Sequence, residues 1–278
     1  MKNTTKNIVE SSQSIKANTA SYDKNYILSN GGILNIYGNC SKLEIDKMIR
    51  DTTSKGGIVL IQLARKFKVG VELLAFLNGI VLEKYPNCGI SLTLNGLGAL
   101  DDLTFLKHLN NLKRLRINLN QQVDLSPINA YCELHFLAIG GDKLKIKGIV
   151  KNKTIEELSV FHKINDVECI AEMTQLKKLD ITGMTLKDLS FLKTLTHLKE
   201  LNFMLGGTKH LESLPDIGKI ERLSFTSVNQ LTIEDLMPIN QMKYLKELRF
   251  ENQLHLTDLN WLKKAGVETK VIHCKKFI

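Results

Sequence analysis

A short pattern of apolar positions recurs seven times along the last two thirds of the chain. Each copy has leucine or isoleucine, two intervening residues, leucine, one residue, and then an aliphatic or aromatic residue. The seven copies are Leu112/Leu115/Ile117, Leu134/Leu137/Ile139, Ile155/Leu158/Val160, Leu176/Leu179/Ile181, Leu198/Leu201/Phe203, Ile220/Leu223/Phe225 and Leu245/Leu248/Phe250. Successive copies begin 22, 21, 21, 22, 22 and 25 residues apart. A period of this length is typical of a solenoid, in which each unit buries its apolar face by stacking on its neighbours.

A second apolar pattern, with a spacing of three residues, alternates with the first. Its copies are Leu103/Leu106/Leu109, Leu125/Ile128/Tyr131, Val167/Ile170/Met173, Leu189/Leu192/Leu195, Leu211/Leu214/Ile217, Leu236/Ile239/Met242 and Leu259/Leu262/Ala265. A spacing of three keeps one face of a short, tight helical turn on the core. We therefore predict that each repeat contains a strand and a short helical turn.

An aspartate stands directly before nearly every one of these triplets. The aspartates are Asp102, Asp124, Asp166, Asp188, Asp235 and Asp258, and His210 takes this place in one repeat. An aspartate at the start of a helical turn accepts hydrogen bonds from N–H groups that have no partner within the turn. We interpret these residues as structural caps and not as catalytic acids.

The unit from Leu176 to Leu195, LKKLDITGMTLKDLSFLKTL, resembles the leucine-rich repeat family. The nearest type is the 22-residue repeat of bacterial internalins and of phosphatase-regulating leucine-rich repeat proteins. The resemblance implies an α/β solenoid over residues 89–278, with a parallel concave sheet and a convex side of short helical or 3-10 turns. Its opening strand is expected at 89–94 and a degenerate closing strand at 269–274.

This family usually places an asparagine after each strand, where its side chain bridges successive turns. Asn120 occupies that position once, but other residues replace it in the remaining repeats. The replacements are Asp142, Lys163, Met184, Gly206, Val228 and Gln253. We therefore do not expect a regular asparagine ladder.

The first third of the chain lacks the repeat. Residues 1–30 are polar and predict a mobile arm. Residues 31–88 predict a strand at 31–39 and a helix that begins at a Ser41/Glu44 capping box and ends near Thr53. Two more helices are predicted at about 57–67 and 70–84. On this interpretation the region forms a helical N-terminal cap of the solenoid.

The same region allows a second interpretation, in which the segment from Leu63 to Ile80 resembles a helix-turn-helix. In that family the second helix presents polar and basic residues to the major groove of DNA. The corresponding segment here, VELLAFLNGIVLEK, has few residues that could read bases or phosphates. Two packed helices are therefore favoured over a DNA-binding motif.

Composition narrows the partner but does not identify it. The net charge is +9 and the pI about 9.2, and residues 1–88 hold 12 Lys and Arg against 7 Asp and Glu. A basic chain is compatible with nucleic acid or with an acidic protein, but the mixed signs favour a solvated basic surface. The apolar run GIVLIQLA at 57–64 is shorter than the roughly 18–20 residues of a membrane span. No secretion signal is recognisable, so we expect a cytoplasmic protein without a membrane partner.

The side chains needed for catalysis or metal binding are scattered. The five cysteines contain no CxxC pair, and Cys132 and His135 lack a second ligand pair at a matching spacing. There is no serine elbow and no glycine-rich phosphate loop. We therefore expect no enzyme activity, no catalytic residues, no cofactor and no metal.

The residues between the pattern leucines point to the opposite side of each strand, so we expect them on the concave face. Aromatic, methionine and arginine side chains are enriched at protein interfaces, although Phe136 and Phe161 could instead pack against a neighbouring loop or each other. The predicted partner-binding residues are Arg114, Arg116, Phe136, Phe161, Lys178, Asp180, Glu200, Met204, Arg222, Glu247 and Arg249.

These observations predict a protein-recognition module of bacterial origin that binds a protein partner through its concave face. Within this class we favour an immunity-type inhibitor of a toxin with an acidic surface. A scaffold or regulatory adaptor fits the residues equally well. Nucleic-acid binding through the basic first third is the alternative from another class. The sequence leaves the oligomeric state and the identity of the partner open.

Overall fold

The structure, a computed structural model, describes residues 26–30, 33–37, 41–54, 60–63, 71–93, 103–119, 122–162, 164–228, 230–253, 256 and 259–272. In these ranges twelve strands form one sheet, and their order in space is their order in the chain. The strands are β1 Tyr26–Asn30, β2 Ile33–Tyr37, β3 Leu60–Leu63, β4 Gly89–Thr93, β5 Arg114–Asn118, β6 Phe136–Gly140, β7 Glu157–Phe161, β8 Lys178–Thr182, β9 Glu200–Met204, β10 Arg222–Thr226, β11 Glu247–Glu251 and β12 Glu268–Ile272. Strand β1 is antiparallel to β2, and every later neighbouring pair is parallel. The predicted parallel solenoid is confirmed.

Short helical turns connect the strands, as predicted. Most of them are 3-10 turns, and one is preceded by a turn of α-helix, α3, at Ile233–Leu236. The 3-10 turns span Thr104–His108, Ser126–Ala130, Ile146–Gly148, Val167–Glu172, Ser190–Thr194, Leu214–Asp216 and Met237–Gln241. The turn at Ile146–Gly148 was not among the predicted triplets, because a buried asparagine, Asn152, takes the place of its third apolar residue.

The two apolar patterns form the core. Every residue of the seven strand patterns is at most 5% exposed. In the later repeats the rings of Phe203, Phe225 and Phe250 stack with centroids 5.5 and 5.7 Å apart. The last predicted triplet is confirmed only in part, because Leu259 and Leu262 pack against the core and are joined by a hydrogen bond of 2.9 Å, whereas Ala265 is exposed. Trp261 fills this end of the core instead, with its ring edge against Phe250 at 6.2 Å.

The residue after each strand from β7 to β11 adopts a left-handed conformation. These residues are His162, Gly183, Leu205, Ser227 and Asn252, with φ between 53° and 68°. Each donates its N–H to the carbonyl of the last residue of the next strand at 2.8–3.1 Å. These backbone bonds extend the ladder one residue beyond each strand, next to the position where this family usually has a bridging asparagine.

At the asparagine position itself, Asn120 and Lys163 lie outside the described residues. Gln253 is fully buried there, and its side-chain amide donates to the Phe225 carbonyl at 3.1 Å. One buried asparagine elsewhere does bridge repeats. The Asn152 amide donates to the carbonyls of Ile128 and Tyr131, both at 2.8 Å.

Two of the predicted aspartate caps have the expected geometry. Asp124 accepts the N–H and hydroxyl of Ser126, and Asp188 accepts those of Ser190. These hydrogen bonds, led by those from the serine hydroxyls, lower the pKa of both carboxyl groups. Asp102 and Asp258 lie outside the described residues.

Two other aspartates bond differently from the prediction. Thr232 is the cap of α3, and Asp235 is the reciprocal partner that accepts the Thr232 N–H at 2.8 Å. Asp166 accepts the N–H groups of Ile146 and Lys147 at 2.8 and 2.9 Å. It therefore holds the turn of the preceding repeat rather than its own, because that turn starts without a polar cap.

The first helix of the N-terminal third, α1 at Lys42–Thr53, begins as predicted at Ser41, whose N–H and hydroxyl donate to Glu44. A second helix, α2 at Val71–Phe76, continues into a π-helical turn at Leu77–Leu82. The side chain of Asn78 in this turn accepts the backbone N–H of Asn111 at 2.8 Å. This bond ties the helical region to the first repeat.

The predicted helix at 57–67 is wrong, because its described part forms β3 between β2 and β4. A short apolar run fits a buried strand as well as a helix, and here it completes the sheet. The first helix of the helix-turn-helix interpretation is therefore absent at Leu63, and residues 64–70 lie outside the described residues. The predicted mobile arm at 1–30 is wrong for its last five residues, because Tyr26–Asn30 form β1 and pair with β2. Residues 1–25 lie outside the described residues, and the boundary at residue 88 stays a prediction.

Candidate functional site: the concave face of the sheet

The concave face is formed by the first, third and fifth residues of each strand, because the second and fourth point into the core. From β5 to β12 these positions hold equal numbers of cations and anions. The cations are Arg114, Arg116, Lys178, Arg222, Arg249 and Lys270, and the anions are Glu157, Asp180, Glu200, Glu247, Glu251 and Glu268. The basic net charge of the chain is therefore not concentrated on this face.

Glu200 lies at the centre of an ion-pair network on β8–β10. Its carboxylate is 2.6 Å from Lys178 Nζ and accepts two bonds of 2.8 Å from the Arg222 guanidinium. Burial alone would raise the pKa of Glu200, but hydrogen bonds from Lys178, Asn202 and Arg222 outweigh it and lower the pKa to about 2. Glu200 is therefore charged at any physiological pH.

Asn202 connects this network to the middle of the face. Its amide nitrogen donates to Asp180 at 2.6 Å and to Glu200 at 3.0 Å, and its oxygen accepts the Ser224 hydroxyl at 2.6 Å. Burial raises the pKa of Asp180, although the hydrogen bond from Asn202 and the charge of Lys178 partly oppose this. Asp180 and Glu200 therefore have pKa values shifted in opposite directions within one network.

Ion pairs continue toward the end of the sheet. Arg249 contacts Glu251 at 2.8 Å, and Lys270 contacts Glu247 at 2.9 Å and Glu268 at 3.4 Å. Each cation of β8–β12 on this face thus has a carboxylate partner within the protein. This part of the face is polar, but its cations are already paired.

Strands β5–β7 hold their arginines differently. The Arg114 guanidinium lies 4.3 Å from the centre of the Phe136 ring, and that of Arg116 lies 5.0 Å from the centre of the Phe161 ring. Both distances are those of cation–π contacts. Arg114 also approaches Glu157, at the longer distance of 3.7 Å.

Phe161 is buried, with 8% of its surface exposed, so the expectation that it is exposed was wrong. Its ring lies over Gly140 of the neighbouring strand, where a Cβ atom would come within 2.2 Å of two ring carbons. Only glycine leaves room for the ring at this position. Phe136 is half-buried beneath Arg114.

Met204 and Leu205 form an exposed apolar pair at the end of β9. Their exposed fractions are 43% and 63%. Leu205 was not predicted, and it has a φ of 55° although it is not glycine. A bulky side chain in this conformation is uncommon and costs free energy, and the equivalent position in the preceding repeat is Gly183. A leucine where the preceding repeat has a glycine is the sequence signal that could have identified this residue.

The predicted site residues thus fall into two clusters along the concave face, and all of them except Arg114 line one open groove of about 710 Å³. Arg114, Arg116, Phe136 and Phe161 form one cluster, and Lys178, Asp180, Glu200 and Arg222 form the other. Small residues, Ala138 and Ser159, lie between them. Met204 lies at the edge of the groove, and the predicted residues Glu247 and Arg249 extend it toward β12.

Other chemistry is limited in the part of the chain that the structure describes. No group of three or more His, Cys, Asp or Glu side chains there is close enough to hold a metal ion. Cys88 is buried, and burial raises the pKa of its thiol to about 11, which makes it unreactive as a nucleophile. None of the described helices has the length and apolar composition to cross a membrane.

Comparison with solved structures identifies the architecture. TLR13, in its complex with the RNA ssRNA13, superimposes with a TM-score of 0.51 at 15% identity, over 78% of this chain and 31% of TLR13. Together with the repeat and the parallel sheet, this similarity decides the fold. The protein is a leucine-rich repeat solenoid.

Two internalins of Listeria monocytogenes also align with this leucine-rich repeat protein. InlF is 17% identical over 77% of this chain and 73% of its own, with a TM-score of 0.43. Internalin C2 is 18% identical over 73% of this chain and 84% of its own, with a TM-score of 0.45. No protein-family model matches the sequence. A search of curated proteins gives no match either.

Proposed function

We propose that this leucine-rich repeat protein is a non-catalytic recognition module that binds one protein partner across its concave face. The observation that carries the proposal is the Met204–Leu205 pair. Leu205 keeps an exposed leucine in a backbone conformation that favours glycine, although its side chain contributes little to the core. The same backbone step carries polar residues at His162, Ser227 and Asn252, so Leu205 is distinguished by its exposed apolar side chain, of the kind found at protein interfaces.

The surroundings of this pair are those of a protein interface. Exposed apolar side chains lie beside a rim of fixed charged groups, and arginine, methionine and aromatic residues share the groove. Because the six cations of the face are matched by six anions, a polyanion such as RNA would meet as much repulsion as attraction. A folded protein with complementary charges and one apolar contact fits this face better.

The test is capture of partners from a lysate of the producing cell, with two matched variants. The double change Met204→Ser and Leu205→Ser removes the apolar pair. Met237→Ser is the control, because Met237 is also 43% exposed but lies in a helical turn outside the sheet. We expect a protein that the wild type and Met237→Ser capture and that the double variant loses. Equal capture by all three forms would contradict binding through the concave face.

In finer terms, we propose a cytoplasmic bacterial inhibitor of the immunity type, whose partner is a toxin with an acidic surface. A rigid face whose charges are already positioned suits tight one-to-one inhibition, because little side-chain entropy is lost on binding. The measurement is the activity of the captured partner with increasing amounts of this protein. Full inhibition at a ratio of one to one is expected, and an active partner in a stable complex would indicate a scaffold or adaptor instead.

A further inference from the structure

Arg116 differs from the other cations of the concave face. Each of the other five lies within 4 Å of at least one carboxylate oxygen. Within the described residues Arg116 has no such partner, and its contact is the ring of Phe161. A cation that lacks a counter-ion on a face where the others are paired is available to an anion from outside.

The guanidinium of Arg116 is also held in place. The Phe161 ring packs directly on Gly140 of β6, so its position beneath Arg116 is fixed. The Arg116 Nε atom is buried and has no hydrogen-bond partner in the described ranges, a state that it shares with the Nε atoms of Arg114 and Arg249. On the neighbouring strand, Ser91 stands in register with Arg116, is fully buried, and has a hydroxyl oxygen that likewise lacks a partner there. Unsatisfied buried polar groups are costly, so this part of the face is incomplete in hydrogen bonding.

Space for a ligand group lies directly beside Arg116. The next two strands place Ala138 and Ser159 in register with it; both side chains are small, and Ala138, only 5% exposed, forms the floor of the groove. Asp180 of β8 is the next long side chain in this row, and at roughly 4.8 Å per strand it lies about 14 Å from Arg116 along the sheet. The side chains that line the groove are therefore smallest next to Arg116, its unpaired cation.

We propose that Arg116 binds the carboxylate of an aspartate or glutamate side chain that the partner protein inserts over Ala138 and Ser159. This inference rests on the proposed function and specifies the chemistry of the partner at one point. A planar guanidinium fixed on a ring matches a carboxylate through two parallel hydrogen bonds. Glu157, Asp180 and Glu200 on the following strands would repel a stiff phosphate backbone laid along the row, whereas a flexible acidic peptide can place one carboxylate on Arg116 and keep its others in solvent.

The probe for this site is a fluorescein-labelled hexaglutamate with an amidated C-terminus, measured by fluorescence anisotropy at low salt. We expect Arg116→Gln to weaken binding of the peptide by about tenfold or more, because it removes a charge-assisted pair. Arg116→Lys keeps the charge but loses the planar fork, so an intermediate affinity is expected. Hexaglutamine and a single-stranded RNA decamer serve as comparison probes and should bind more weakly.

Two variants separate Arg116 from general charge effects. Lys151→Gln removes one positive charge at an exposed position outside the concave strands, and Arg222→Gln removes a paired arginine of the same face. Both should bind hexaglutamate more tightly than Arg116→Gln does. In NMR spectra of the wild type, the Nε–Hε signal that disappears in Arg116→Lys should shift when hexaglutamate is added.

The proposal is overturned if Arg116→Gln binds hexaglutamate as tightly as the wild type does, or if the RNA decamer binds more tightly than hexaglutamate and depends on Arg116. The carboxylate site can fail independently of the proposed function. If the captured partner depends on Met204 and Leu205 but tolerates Arg116→Gln, the concave interface stands and the carboxylate site fails. If the partner tolerates both changes, both proposals fail.

Discussion

Strands β5–β7 and β8–β11 belong to the same repeat architecture but handle charge in different ways. In β8–β11 the cations are consumed by carboxylates of this chain, most tightly around Glu200. In β5–β7 the two arginines lie on aromatic rings, which do not neutralise a charge, and only Arg114 also has a carboxylate within 4 Å. The later strands therefore provide rigidity, and the earlier ones retain a charge that can act on another molecule.

The core differs between the same two regions. The fourth residue of the strand is aliphatic in β5–β8 and phenylalanine in β9–β11. The later repeats are thus coupled by stacked rings, whereas a buried asparagine, Asn152, bridges the earlier ones. The stacked rings and the asparagine bridge are thus contacts particular to one region each, and the two can be removed separately.

The largest effect is expected for Phe225→Ala, which removes the ring between Phe203 and Phe250. The free energy of unfolding in urea should fall by about 3–5 kcal/mol, the usual cost of deleting a buried phenylalanine. Ile139→Ala, at the same strand position in the aliphatic region, is the matched variant and should cost less. A loss for Phe225→Ala no larger than that for Ile139→Ala would show that the stacked rings add nothing to their burial.

The next largest effect is expected for Asn152→Ala. Asn152 is 1% exposed, and its loss leaves the carbonyls of Ile128 and Tyr131 without that donor. The change also removes the Asn152 oxygen that accepts the backbone N–H groups of Thr154 and Ile155, so we expect a destabilisation of about 2–3 kcal/mol in urea unfolding. Asn165→Ala, which removes one exposed hydrogen bond to Asp142, should change stability by about 0.5 kcal/mol or less. Similar losses for the two variants would contradict a bridging role for Asn152.

Glu200→Gln tests the closed network of the later strands. The folded-state pKa of Glu200, about 2, lies below its ordinary value of 4.5, so the carboxylate stabilises the folded protein above pH 4.5. This stabilisation is lost as the pH falls from 4.5 toward 2. At pH 7 the variant should be less stable by about 1–2 kcal/mol, after allowance for solvent screening.

The pH profile is the decisive measurement for this variant. Glu200→Gln should lose less stability than the wild type between pH 4.5 and 2. The control is Glu221→Gln, which removes an exposed carboxylate paired with Lys246 and should have a weaker effect. Parallel acid profiles for the wild type and Glu200→Gln would exclude a stabilising role for this network.

The smallest effect is expected for Asp180→Asn in the same network. Because burial raises the folded-state pKa of Asp180 above 3.8, the charged form is penalised in the folded protein, and stability is lost as the pH rises through that pKa. The amide can still accept the bond from Asn202. Thermal unfolding at pH 7 should therefore show a change smaller than about 1 kcal/mol, in the stabilising direction. A clear destabilisation would mean that the Asp180 charge is needed by Lys178.

The sequence predicted the parts of the molecule that depend on periodicity. The strand leucines are buried as expected, and alternation correctly assigned Arg114, Lys178 and Glu200 to one face. Periodicity could not tell that β3 is a strand, because four apolar residues are too few to separate a period of two from a period of 3.6. Trp261 was missed because it falls outside the three-residue spacing.

The details of the site depend on contacts between repeats, which no single repeat contains. Phe161 is buried because Gly140, 21 residues earlier, leaves room for its ring. Among the described residues Arg116 is unpaired because the carboxylate of Glu157 lies near Arg114 instead. The backbone conformation of Leu205 is set by the geometry of the strand end. Such properties arise from pairs of residues, whereas a pattern describes residues one at a time.

The left-handed residues after β7–β11 have a consequence for how this surface can vary. Because the chain leaves each of these strands by the same backbone step, two such steps bound an interchangeable segment, for example residues 184–205, which begin directly after Gly183 and end at Leu205. Adding or removing one segment would change the length of the face by about 4.8 Å without changing the register of the remaining strands. The length of the concave face can therefore change without changing the side chains already on it. A protein of this design can cover more of a partner and keep the contacts it already makes.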